Sequence, residues 1–101
     1  MARRLELHEV LCELLGSRHV YYQPPASISM TYPAIVYRRS DIQNKPADNL
    51  PYLQTTAYEV TVIDRNPDSA IVEAVSRLPY CRFNRHFTSE NLNHDVFVVY
   101  Y

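Results

Sequence analysis

A chain of 101 residues with one glycine, Gly16, has few places where its backbone can turn left-handed or approach another group closely. A phosphate-cradling loop, a dinucleotide fingerprint and a nucleophile elbow each need glycine for that reason. Nucleotide-driven chemistry and α/β-hydrolase chemistry are therefore excluded. The remaining bounds agree with one small globular domain. The length suits one domain over residues 1–101, and 47% hydrophobic with 21% charged residues is a globular balance. Ten Lys and Arg against eleven Asp and Glu give a formal charge of −1, which argues against a dedicated nucleic-acid or membrane-surface binder. The longest apolar run, Val96 to Tyr101, is far shorter than the ~20 residues of a membrane span. The first residues lack a signal peptide's apolar stretch, so no membrane role is expected. Cys12 and Cys81 are too few for a disulfide framework or a metal knuckle and read as small buried hydrophobes in a reducing cytoplasm.

Periodicity then orders the chain. Leu7, Val10, Leu11, Leu14 and Leu15 recur at helical spacing, predicting a helix from Arg3 to Leu15 that Gly16 ends. His19 to Gln23 and Pro33 to Arg38 are rich in strand formers. From Arg39 to Leu53 the pattern dissolves around Pro46 and Pro51, predicting a long flexible loop, which inside a small domain is usually functional. Gln54 to Arg65 alternates as a strand. Asn66, Pro67 and Asp68 form a helix start, Ile71, Val72, Val75 and Leu78 form its apolar stripe, and Pro79 ends it. Cys81 to Phe87 is expected to point Cys81, Phe83 and Phe87 inward; Thr88 to Asp95 makes a turn, and Val96 to Tyr101 is the last strand. The expected fold is α+β: a small, mainly antiparallel sheet of about five strands with two helices on one face, in the order α-β-β-β-α-β-β. One sheet face and at least one edge are left without a cover in the single chain.

Two clusters invite a chemical reading. His86, Glu90 and His94 are suitable metal ligands, yet their four-residue spacing converges on a helix, and this region reads as strand, turn and strand. They define the alternative of a small metal-dependent enzyme. Cys12 lies one helical turn after His8, but no third group or oxyanion site accompanies them, and Cys81 opens a strand on its inward side, where a thiol is inert. No cofactor, metal or catalytic residue is expected. Arginine and tyrosine carry the stronger signal. Nine tyrosines without a tryptophan, several of them at strand or loop margins, join arginines at strand ends, and both types are enriched at protein interfaces. Arg85 shares the inward register of Phe83 and so must reach a margin, a partner or a bulge. The candidate interface residues are Arg38, Arg39, Asp41, Lys45, Asp48, Tyr52, Arg82, Arg85, Tyr100 and Tyr101.

Four segments, taken in order, carry a resemblance: Gln23 to Ala26, Tyr32 to Tyr37, Tyr58 to Ser69 and Phe87 to His94. Together they resemble the tail-terminator, or tail-completion, proteins of long-tailed bacteriophages and prophages, over nearly the whole chain. The resemblance implies a virion structural protein, assembled in the bacterial host cytoplasm. Copies would form a ring, expected to be a hexamer, that caps the head-proximal end of the tail tube, stops its growth and joins it to the head connector. Implied partners are the major tail tube protein, the head-completion or stopper protein and the tape measure protein, with DNA passing only as cargo. It also implies a central loop that orders on ring formation, at the position of Arg39 to Leu53. The neighbouring alternatives are a head-completion or connector ring and a protein-binding domain of the host.

Overall fold

The computed structural model describes residues 3–24, 29–47 and 50–101, with side chains for all of these except residues 3, 41–47 and 50–55. The elements are α1 (Arg3–Leu15), β1 (Val20–Tyr22), β2 (Ala34–Ala47), β3 (Leu50–Asp64), α2 (Ala70–Ser76), β4 (Cys81–Ser89) and β5 (Leu92–Tyr100). The fold is α+β, and the expected order holds. The sheet runs β1-β2-β3-β5-β4. Its neighbours are antiparallel apart from β1 and β2, which pair in parallel.

One apolar layer explains the arrangement. Leu7 and Leu11 of α1 and Val75 of α2 are fully buried against Ile35 and Tyr37 of β2, Val60 and Val62 of β3, and Phe97 and Val99 of β5. Register puts Ile35 opposite Val62, and Tyr37 opposite Val60, which in turn faces Phe97. These side chains therefore share one sheet face, and both helices lie over it. Gly16 adopts φ +80 and donates its N–H to the Cys12 carbonyl at 2.9 Å, closing α1 as the left-handed position requires.

Three expectations change. The second helix begins at Ala70 with Ser69 as its N-cap, whose Oγ accepts the Ile71 N–H. Asn66 is not the cap, because the Asp64 and Asn66 side chains each accept the backbone N–H two residues on, forming successive turns. The turn between the last strands is also shorter than expected. It consists of Glu90 and Asn91, both left-handed at φ 52 and 64, so β4 and β5 run further toward each other.

The largest correction concerns Arg39 to Leu53. Both flanking strands continue through most of it as one antiparallel ribbon, paired from Asp41 with Ala57 to Ala47 with Leu50. The ladder tolerates the prolines because it shifts register between Lys45 and Ala47, leaving Pro46 and Pro51 out of its paired positions. A second shift leaves Ser40 unpaired, and its Oγ donates to the Ala57 carbonyl. β1 reaches only Tyr37 and β5 only Ala57, so among the described residues no further strand joins this part of the ribbon. Seven paired-strand residues span about 20 Å, in keeping with a molecule 51 Å long but 24 by 22 Å across. Its radius of gyration, 14.6 Å, exceeds the ~13 Å of a compact domain this size. Alternation was invisible here because it arises when one face of a strand is buried, and two strands alone impose no such face.

Candidate functional site

The sheet face turned away from the helices is the principal candidate. Arg38, Glu59 and Val98 stand in one cross-strand row, with Arg82 of β4 paired to Val98. Arg38 Nε donates to Glu59 Oε1 at 3.1 Å across β2 and β3. The next rows carry Thr61 opposite Val96 and Ile63 opposite His94. Among the described residues neither helix covers this face, and it sets exposed arginines around aliphatic side chains that are buried at Ile63 and Val96 and half-buried at Val98.

A bulge at Asn84 decides what the β4 margin presents. Phe83 pairs with Phe97, and Arg85 pairs with Val96, the next residue along, so Asn84 is the extra one. Arg85 therefore leaves Phe83's face and joins Arg82 on the open side, resolving the conflict its sequence register posed. Phe87 follows it outward. The ring expected to point inward is 40% exposed and lies flat on His94, with centroids 4.6 Å apart and planes 13° apart. The Arg85 guanidinium sits 5.8 Å from the Phe87 ring centre. This stack of Arg85, Phe87 and His94 was missed because strict alternation was carried through the bulge. The polar pair Asn84-Arg85 interrupting the aromatic run was the available signal. Phe83 stays on the helix side, edge-on to Phe97, but at the sheet margin it is 54% exposed.

The same register separates the proposed metal ligands. His86 pairs with Asp95 and its Nδ1 meets Asp95 Oδ1 at 2.8 Å, on the side opposite His94, since consecutive strand residues point to opposite faces. Glu90 occupies the turn. Among the described residues no group of three or more His, Cys, Asp or Glu side chains could hold a metal ion.

The cysteines are equally separated from chemistry. Cys12 is buried, and burial raises its thiol pKa, as it does for Cys81. His8 turns from Cys12 to Tyr37, with Nδ1 at 2.8 Å from the phenol oxygen, which also accepts from Arg4 Nη1 at 3.3 Å. Arg4 lies 4.3 Å from the Tyr22 ring centre, and Tyr22 packs on Tyr37.

The remaining candidate residues divide by element. Arg39 is exposed beside the base of the ribbon, its N–H donating to Gln23 Oε1. Asp41, Lys45 and Tyr52 lie on the ribbon by their backbone, and their side chains, like the whole of Asp48, fall outside the described residues. Tyr100 is half-buried on the open side. Tyr101 packs against the core, with its N–H donating to the Thr56 carbonyl, so its apolar setting comes from the chain's own residues. Among the described residues no helix is long and apolar enough to cross a membrane. No family model, curated protein or solved structure matches this chain.

Proposed function

We propose that this chain is a virion structural protein whose copies form a ring at the head-proximal end of a phage tail tube, end tube growth and present the joint to the head connector. The β2–β3 ribbon carries this reading. Among the described residues its strands pair only with each other beyond the Asp41–Ala57 pair, and an isolated two-stranded ribbon is marginally stable in water. Contact with a neighbouring subunit supplies the missing packing and couples ring closure to ordering of the ribbon. A ring also needs a heterologous contact, in which one patch meets a different patch of the next copy; a chain with a helix-covered side, an open sheet face and a projecting ribbon has unlike patches to offer. The tail tube protein, the stopper protein and the tape measure protein are the partners this position implies. DNA passes through the ring without being retained.

Electron micrographs of purified tail tubes mixed with the protein test the proposal. The expected result is density at one end of each tube. A variant in which residues 43–55 are replaced by Asn-Gly keeps the core and is expected to leave tube ends bare. Tubes that remain uncapped by the intact protein, or that the shortened variant caps equally well, overturn it.

A further inference from the structure

The outer side of α1 and the open sheet face carry opposite charge. On α1, Glu6, Glu9 and Glu13 are exposed on the side of the helix away from Leu7 and Leu11. Among the described residues only Glu9 of the three is paired, to Arg18 at 2.8 Å. Leu5 stands among them 55% exposed. On the other side of the layer pair, Arg82 and Arg85 are exposed on the open sheet face without an ion-pair partner among the described residues, beside exposed Phe87. Each of these two patches thus combines unpaired charge of one sign with one exposed apolar side chain. The net charge of −1 conceals this division.

We propose that the acidic outer side of α1 in one copy docks on the arginine-bearing open sheet face of the next copy. The proposal rests on the ring reading above and deepens it by naming the two surfaces that meet. Charge complementarity selects a second copy of this chain. The patches differ and lie on opposite sides, so the contact is heterologous, and repeating it generates a closed ring or an open series. Like patches repel, which disfavours a two-fold dimer through either side. Complementary charge steers the encounter and sets register, while Leu5 and Phe87 supply apolar area at the contact.

Charge reversal tests it. In sedimentation velocity over a wide concentration range, the intact protein is expected to self-associate more strongly in dilute salt than at 0.5 M. Exposed charges are screened beyond about 10 Å even at 0.1 M. Glu6→Arg with Glu13→Arg, and separately Arg82→Glu with Arg85→Glu, are each expected to weaken association on the order of tenfold or more, with unchanged melting temperature. Mixing the two double variants restores association, because each then offers the other two matched contacts. Association indifferent to salt and to both reversals overturns the docking mode while leaving ring formation intact. So does loss on the arginine reversal alone, since the face then takes another occupant, a single-stranded oligonucleotide being the first to try. Absence of self-association both free and on tail tubes overturns the docking mode and the ring together, whereas salt-sensitive, reversal-sensitive rings that never cap a tube overturn only the placement in a tail.

Discussion

Tyr37 brings a phenol into the core, and its hydroxyl depends on two basic side chains for satisfaction. Arg4 can only donate, so the hydroxyl hydrogen goes to His8 Nδ1 and fixes a neutral imidazole protonated at Nε2. Burial, then the charges of Arg18 and Arg4, hold the His8 pKa below its ordinary value. In the unfolded chain that imidazole titrates near about 6.5. Below that pH the unfolded state binds a proton that the folded state refuses, so stability is fully present above it and declines as pH falls toward the lowered folded value. Thermal melts from pH 7.5 to 5.5 are expected to show this decline, and His8→Gln, whose amide oxygen can still accept from Tyr37, to flatten it. An unchanged slope in the variant rejects the assignment. The Glu9–Arg18 pair does not confuse the result, because Arg18 lowers the Glu9 pKa and its titration falls below this range.

At the scale of elements, the β4–β5 hairpin is joined by a two-residue turn whose residues are both left-handed, yet they are Glu90 and Asn91. A side chain such as glutamate there costs about 1–2 kcal/mol, and Asn-Gly is the pair this turn prefers. The double change Glu90→Asn with Asn91→Gly is expected to stabilise the protein by about 1 kcal/mol, a rise of roughly 4–8 °C in melting temperature. A fall would show that Glu90 makes a compensating contact. The same hairpin marks where sequence reasoning stops. α1, the two helix-facing strands around Val60 and Phe97, and the apolar stripe of α2 were legible because burial on one side imposes a period on them. The Asn84 bulge, the Glu90-Asn91 turn and the β2–β3 ribbon were not, because each is specified by backbone geometry or pairing without a buried face. The candidate site divides in the same way. Arg38 and Arg82 were candidates from residue type and strand position alone and stand exposed on the open face, whereas the Phe87–His94 stack depends on one extra residue.

For the whole molecule, what matters is how a rigid body and a slender ribbon share one pair of strands. Among the described side chains, the buried core draws on β2 up to Tyr37 and on β3 from Ala57 onward. Between Ala57 and Asp64, β3 is held on both sides, by β2 and by β5, whereas the ribbon has a single ladder with two open margins. Opening a segment with few packed neighbours costs much less than global unfolding, and amide exchange reads that difference residue by residue. In the free protein, amides of residues 41–47 are therefore expected to exchange orders of magnitude faster than those of Val60 and Val62. Assembly on tail tubes is expected to slow the ribbon selectively, because docking adds packing there and leaves the core segment around Val60 and Val62 as it was. The pore follows from the same geometry. If Arg82 and Arg85 are covered by the glutamates of the next copy, they are withdrawn from the channel, and DNA meets no fixed cationic row that would retain it. Ribbon amides as protected in the free chain as those of Val60 would show that the ribbon is already complete alone, and the physical reason for the chain to seek its own copies would be gone.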